Sequence, residues 1–419
     1  MTEESYQTLI EISPLLTDHE VSKALTDWFK EAVTFTKWEY VDETGKGDSY
    51  LSEVIRIRIY GKTDDTLRHI QVVLKTIPKN ICRRLTFRSH DFFKNEINFY
   101  TKVLPTLLSF QAKKQMTDPF LNYTNLFLAL SDGVHDVICL EDATLQNYGA
   151  AVRQEGIDLE HCKLTLKAIA KFHAISFALR DQNPDIFNST SIFVDETYYD
   201  ARHWLWYERF WRRISSIAID AVEREYPNSI YVDKVKGFAV PERYQDMIKA
   251  VQDKTNAVFS HGDSWTNNFL YKYENGTVVD AKIIDFQLTR CASPVLDVTF
   301  MIYACTDQEL RLKHYNDLLK YYYEVLAKQI KEMGSDPDVT YSWDSFMTEV
   351  KKYSYFGLAF SFESTPFIIL APEDAISMEM TGEEKRNIDD FWCLPPIKTK
   401  EGRLREANNV VHCVDQGYI

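Results

Sequence analysis

The sequence is most informative at first in what it lacks. No two cysteines are spaced C-x-x-C: the seven, at 82, 139, 162, 291, 305, 393 and 413, are odd in number and scattered. That argues against a zinc site and a disulfide framework, and for reduced thiols in a cytoplasmic setting. The start, Met1-Thr2-Glu3-Glu4-Ser5, has neither a basic nor an apolar segment, so no secretory signal is expected there. Long apolar runs are also missing. The most apolar late stretch, Tyr353 to Leu370, is interrupted by Glu363 and Pro366, so it reads as buried core and no membrane span is expected. Positive charge is scarce: 48 Lys and Arg against 62 Asp and Glu give a net charge of −14. A chain this acidic is a poor partner for nucleic acid or an anionic membrane surface, though a local basic pocket remains compatible with it. No internal repeat or low-complexity tract is present.

What is present suffices for a large core. Of 419 residues, 45% are hydrophobic and 14% aromatic, which excludes global disorder. The first 40 or so residues read as helical. Lys37 to Tyr60 turns strand-like around a break at Thr44-Gly45-Lys46-Gly47-Asp48, and Ser52 to Tyr60 alternates apolar and polar as a half-buried strand does. Ile70 to Thr76 predicts another strand, and Ser89 to Leu104 a helix with Ser89 as its N-cap. Leu126 to Leu130 and Val137 to Leu140 are short strand-like runs. Beyond Asp158 the pattern is mostly helical, apart from Val258 to Phe286. The expectation is an α+β chain of two lobes, a small strand-rich one over 1–142 and a larger helical one over 143–419, joined near Glu141 to Thr144.

The stretch Phe259 to Leu288 carries the chemistry. Asn275-Gly276 between two β-branched and aromatic runs predicts a hairpin with a type I′ turn. With Glu274 opposite Thr277, an unbroken register would set Asn268 opposite Ile283. Asp285 would then lie one pair further out on the same face, roughly 7–8 Å away on the diagonal. Two oxygen-bearing side chains so placed could share a hard cation such as Mg²⁺. Just upstream, Asp263 precedes Asn268 by the D-x-x-x-x-N spacing of kinase catalytic loops, where the Asp takes the proton of the attacking hydroxyl and the Asn holds metal. Asp285, closing the apolar run Ile283-Ile284, stands where the metal-binding Asp of the kinase D-F-G motif is required.

That reading makes demands upstream. A strand must end in a lysine that holds phosphates, and Val72-Val73-Leu74-Lys75 fits. A helix must present an inward carboxylate to that lysine. Glu96 falls within the apolar stripe of Phe92, Phe93, Ile97, Phe99 and Tyr100, where an unpaired carboxylate would be costly. Gly47, Asp48 and Ser49 could wrap phosphates with backbone amides, although G-x-G-x-x-G is absent and a plain hairpin turn is the alternative. Glu141 to Ala143 reads as the hinge between lobes, where main-chain groups would meet adenine.

Taken together, HGDSWTNNFLYKY, IIDFQ, SPVLDV, VVLKT, FFKNEINFY and ICLEDA resemble the ecdysteroid kinase-like proteins, relatives of choline kinases and aminoglycoside phosphotransferases. The resemblance runs by motif from about Gly47 to Asp297. It implies a protein-kinase-like fold and ATP- and Mg²⁺-dependent phosphorylation of a small-molecule alcohol. It also implies Asp263 as the base, Asn268 and Asp285 as metal ligands, Lys75 with Glu96 as the phosphate clamp, and Asp297 as a brace for the catalytic loop.

His261 reads as a loop-holding residue and His173 as a core histidine. The aromatic run Tyr198 to Trp211 reads as helix packing, part of which could line an acceptor pocket. A steroid-like alcohol is the first acceptor class, and a choline- or aminoglycoside-like cationic alcohol the second. A non-catalytic kinase-fold binding protein is the competing class, and it would predict loss of Lys75, Asp263 or Asp285. None is lost. A protein kinase is disfavoured because no A-P-E segment follows Asp285. The acceptor's identity and the oligomeric state are not legible in the sequence.

Overall fold

The computed structural model describes residues 8–43, 51–370, 380 and 382–419. The expected phosphate loop, with Gly47, Asp48 and Ser49, lies outside them.

After helix α1 (Asp18–Phe29) come strands β1 (Thr34–Glu43), β2 (Glu53–Lys62) and β3 (Leu67–Thr76), so the helical reading of the first 40 residues holds only as far as Phe29. Next are α2 (Ile81–Phe87), α3 (Ser89–Asn98), a π-helical turn over Phe99–Val103, α4 (Leu104–Gln111), β4 (Leu126–Leu130) and β5 (Val137–Glu141). The five strands form one antiparallel sheet in the order β1-β2-β3-β5-β4. The pleat sends alternate side chains to opposite faces. Ile70, Val72 and Leu74 of β3 join a core with Ile57 and Ile59 under Val21 and Leu25 of α1. Gln71 and Lys75 fall on the other face.

The expected cap at Ser89 is not formed. Asn80 caps α2, and Arg88, in the left-handed region (φ 54°), turns the chain straight into α3 without a side-chain cap. The single expected helix is two helices joined by the π turn, a local widening often found near functional sites.

The remaining chain is mostly helical. It contains β6 (Tyr148–Ala150), α5 (Leu159–Gln182), α6 (Pro184–Ser191), α7 (Trp204–Glu225), α8 (Ile230–Phe238), α9 (Arg243–Gln252), β7 (Val258–Ser260), β8 (Phe269–Glu274), β9 (Thr277–Ile283) and β10 (Arg290–Ala292). There follow α10 (Pro294–Cys305), α11 (Gln308–Glu332), α12 (Pro337–Thr340), α13 (Trp343–Ile369) and α14 (Lys400–Asp415). The fold is α+β, with a strand-rich sheet and a larger helical part. Phe92, Phe93 and Phe99 pack into the same large core as α5, α10 and α13, so the helix bearing Glu96 is held by the helical part as well as by the sheet. Among the described residues no helix is long and apolar enough to cross a membrane.

The β8–β9 hairpin turns at Asn275 (φ 52°) and Gly276 (φ 78°), both in the left-handed region that a type I′ turn requires. Its register differs from the expected one. A bulge after Lys272↔Asp280 leaves Val279 unpaired, so Phe269, not Asn268, lies opposite Ile283. The diagonal expected between Asn268 and Asp285 therefore does not exist. Asn268 instead ends a short 3-10 turn, and its carbonyl accepts from the amide of Ile284 at 3.0 Å.

Candidate active site

Lys75 is the centre of an ion triad in which Lys75 and Glu96 are buried and Asp285 is half-buried. Its Nζ donates to Glu96 Oε2 at 2.6 Å and to Asp285 Oδ1 at 2.8 Å. Burial works against the Lys75 ammonium, but the charges of Asp285 and Glu96 outweigh it and hold the group above the ordinary lysine range. Burial also pushes the Glu96 carboxyl up, with Lys75 pulling it back down.

Asp285 reaches this position through its backbone. Two residues past the end of β9 it adopts φ 63° and ψ 64°, left-handed values that a residue with a Cβ adopts only when its surroundings hold it there. Phe286 supplies part of that hold by stacking on Phe99. Asn95, beside Glu96, adds more: its Nδ2 donates to the carbonyls of Gln287 at 2.9 Å and Thr289 at 2.7 Å.

Asp263 faces the same space. Asn268 Nδ2 donates to Asp263 Oδ2 at 2.8 Å and to its carbonyl at 2.9 Å. Burial first, and then the charge of Asp285, push the Asp263 carboxyl up to about 8, against the pull of Asn268. Behind it the loop is pinned from below. Asp297, near the start of α10, accepts from the amides of His261 (2.6 Å) and Gly262 (2.8 Å). His173 Nε2 approaches Asp297 at 3.0 Å, while its Nδ1 meets Tyr322 Oη at 2.8 Å, so this buried histidine is fully partnered. Burial would raise the Asp297 carboxyl, but His173 and His261 bring it below its usual value. His261 Nε2 donates to the carbonyl of Ile284 at 2.8 Å, which leaves Nδ1 to accept from the Asp263 amide. Gly262 (φ 83°) allows the tight turn, since a Cβ there would lie 2.0 Å from the Leu288 carbonyl oxygen.

A pocket enclosing about 760 Å³, mouth included, lies over Asp263, Asn268 and Asp285. Its lining is mixed: Phe92, Tyr198, Phe300, Phe360, Phe367 and Trp392 are among the apolar and aromatic residues, and Ser52, Asn267, Gln287, Glu363 and Ser364 among the polar ones. Leu51 and Ser52, also in the lining, follow directly on the stretch that contains Gly47 to Ser49.

Glu141 and Ala143 do not line this pocket. The β3–β5 register sets Glu141 opposite Val72, on the strand beside Lys75. The Glu141 carboxylate accepts from Asn125 at 2.9 Å, and Ala143 opens a 3-10 turn capped by Asp142. Of the aromatic run, Tyr198 reaches the pocket, while Trp206, Tyr207, Phe210 and Trp211 pack in the core.

Asn95 and Glu363 were not singled out from sequence. The signal for Glu363 was the one that marks Glu96, a carboxylate inside an apolar helical stretch, but it reads equally as a break in a hydrophobic run. Asn95 left no such signal, because its bonds go to backbone distant in sequence.

Among the described residues no group of three or more His, Cys, Asp or Glu could enclose a metal. Mg²⁺ does not need one, being held by one or two carboxylates with phosphate and water oxygens. With its Nδ2 committed to Asp263, Asn268 turns its Oδ1 elsewhere, and Asp285 Oδ2 is not the oxygen bonded to Lys75. This hard-oxygen pair fits such an ion.

The family model described as the ecdysteroid kinase-like family matches residues 46–335. The chain belongs to the ecdysteroid kinase-like family. No curated protein matches it. Among solved structures, the GDP complex of wild-type aminoglycoside 2'-phosphotransferase-IIIa is similar at 14% identity and TM-score 0.39, covering 94% of this chain and 99% of that one. A complex of APH(2")-IIIa with GDP and kanamycin is similar at 13% identity and TM-score 0.36, covering 81% and 97%. The observed α+β architecture, an antiparallel sheet followed by a larger helical part, agrees with the fold class expected from the sequence.

Proposed function

We propose that this ecdysteroid kinase-like protein is an ATP-dependent small-molecule kinase that transfers the γ-phosphoryl group to an acceptor hydroxyl, with a steroid-like alcohol such as an ecdysteroid as the first acceptor class. The observation that carries the reading is the convergence on one pocket of Asp285, which accepts from Lys75 of the Lys75–Glu96 pair, with Asp263, which is held by Asn268. Family membership supports the phosphotransferase class, and the aromatic side chains in the pocket lining support an acceptor with an apolar skeleton.

In this reading Asp263 accepts the proton of the acceptor hydroxyl, and its half-buried place in the pocket, with its carboxyl pushed up, suits a general base. Lys75, kept charged and immobile by Glu96, holds phosphate oxygens. Asn268 and Asp285 would hold Mg²⁺, which when bound would neutralise charge on the phosphates. Asp297 and His261 position the loop that carries Asp263. The stretch with Gly47, Asp48 and Ser49 would cover the phosphates, and the main chain of Glu141 and Ala143 would meet adenine. Residues 1–142 would then act as the nucleotide lobe and 143–419 as the acceptor lobe. The buried, unpaired cysteines other than Cys393 and Cys291 support a reducing, cytoplasmic setting.

The test is a mass-spectrometric search for phosphorylated products from steroid alcohols and amino alcohols with ATP and Mg²⁺. Asp263→Asn should keep fold and ATP affinity while turnover falls by about 10²–10⁴-fold. Wild-type turnover by Asp263→Asn would remove the proposed base. Tight nucleotide binding with no product from any acceptor would favour a non-catalytic binding protein.

A further inference from the structure

Glu363 is a buried carboxylate in the last third of α13, among the buried Phe360, Phe362 and Phe367. No ion pair to it is found among the described residues. Instead two phenols hold it, one at each oxygen: Tyr198 Oη donates to Oε1 at 2.6 Å and Tyr207 Oη to Oε2 at 2.8 Å. A carboxylate removed from water without a cation is destabilising unless hydrogen bonds compensate. Two phenol donors compensate only in part, because a carboxylate offers about four acceptor positions. Next to it, Ser364 is buried and its Oγ finds no hydrogen-bond partner among the described residues. Both residues line the pocket that contains Asp263, together with Phe92, Phe300 and Phe360. The Glu363 charge is close enough to contribute to the raised position of the Asp263 carboxyl.

The geometry points to Glu363 as the acceptor-recognition residue. It accepts a hydrogen bond from a second O–H or N–H on the acceptor, distinct from the hydroxyl that reacts at Asp263, and Tyr198 and Tyr207 keep the carboxylate aimed at the pocket. The inference rests on the kinase reading for the reacting hydroxyl, but the recognition itself concerns binding alone. Tyr198, Phe300, Phe360 and Phe367 line the same pocket and suit an apolar skeleton, so the acceptor class is a hydrophobic skeleton bearing one reactive hydroxyl and one further donor. Tyr207 does not line the pocket and acts through Glu363 as a positioning residue.

The experiment uses the full chain, with alcohols that share one apolar skeleton: a mono-alcohol, a diol and an amino alcohol. Calorimetry without ATP reads binding, and kcat and KM with ATP and Mg²⁺ read turnover. Wild type should bind the diol, the amino alcohol or both about 10-fold or more tightly than the mono-alcohol, the scale of one hydrogen bond to a charged group. Glu363→Gln should bring that ratio toward one, chiefly through acceptor KM, and Tyr207→Phe should move it the same way by less. Thermal midpoints and ATP affinity check that both variants fold. Preference for the diol would identify a hydroxyl as the second group, and preference for the amino alcohol an ammonium. Equal binding of all three alcohols by wild type, or equal losses on all three in Glu363→Gln, would overturn the inference. Glu363-dependent binding without any phosphorylated product would sustain the inference and overturn the kinase reading instead. A folded Tyr207→Phe with an unchanged ratio would remove its positioning role.

Discussion

Phe286 stacks on Phe99, with ring centroids 3.9 Å apart and planes 10° from parallel. Phe286 follows Asp285 directly and Phe99 lies one helical turn beyond Glu96, so this stack fixes the distance across which Lys75 bridges the two carboxylates. His261 closes the group edge-on to Phe286 at 5.0 Å, which joins the loop of Asp263 to the same ring. Three separate chain segments thus share one aromatic contact.

Truncating that contact should loosen all three segments. Phe286→Ala is expected to destabilise the protein by about 3–5 kcal/mol, the range for a buried Phe truncation. Combined with Phe99→Ala the losses should be strongly non-additive in urea unfolding, because either change alone removes the stack. Additive losses would show that the two rings contribute independently.

Lys75 and Glu96 should behave as one unit. Lys75→Met leaves two carboxylates facing each other without their cation and should lower stability by about 3–5 kcal/mol. Adding Glu96→Gln should restore part of that stability while turnover stays low, since the amide removes one uncompensated charge. A double variant less stable than Lys75→Met alone would show that Glu96 is held by something other than Lys75.

Gly262→Ala should abolish turnover. The new Cβ would meet the Leu288 carbonyl oxygen at 2.0 Å, and the backbone there is left-handed, so the loop of Asp263 has to move. Kinetics on the purified variant with a bound-nucleotide control would check this, and turnover near wild type would mean the loop tolerates the shift.

Glu406 on α14 predicts a stability trend with pH. Burial pushes its carboxyl up to about 8, with Thr365 and Arg405 opposing. In the unfolded chain an ordinary glutamate titrates near 4.3, so between about pH 4.3 and 8 the folded state binds more protons than the unfolded one. Its contribution to stability is therefore fully present below that window and falls as pH rises, at a limiting slope of about 1.4 kcal/mol per pH unit. Glu406→Gln should flatten the fall in urea stability between pH 6 and 8. An identical pH profile in the variant would show that Glu406 is ionised in the folded protein.

The sequence by itself determined the elements that rest on local patterning. The alternation of β2 and β3, the Asn275-Gly276 turn and the apolar stripe around Glu96 all follow from side-chain period and backbone preference, which act over a few residues. The D-x-x-x-x-N spacing and the strand-terminal lysine were legible for the same reason. Where α3 begins was not, because Arg88 in a left-handed conformation links two helices with no cap to mark the start. The hairpin register was not legible either, since one unpaired residue, Val279, shifts every pair beyond it and leaves no compositional trace.

Only the tertiary structure decided which distant groups meet. Asp297 reaches the amides of His261 and Gly262, His173 backs Asp297, Asn95 holds the backbone around Gln287, and two tyrosines of the aromatic run converge on Glu363. None of these pairs is linked by spacing. Each buried polar group needs a partner wherever packing brings one, so the choice of partner is made by how α5, α10 and α13 stack, and that depends on the whole core at once.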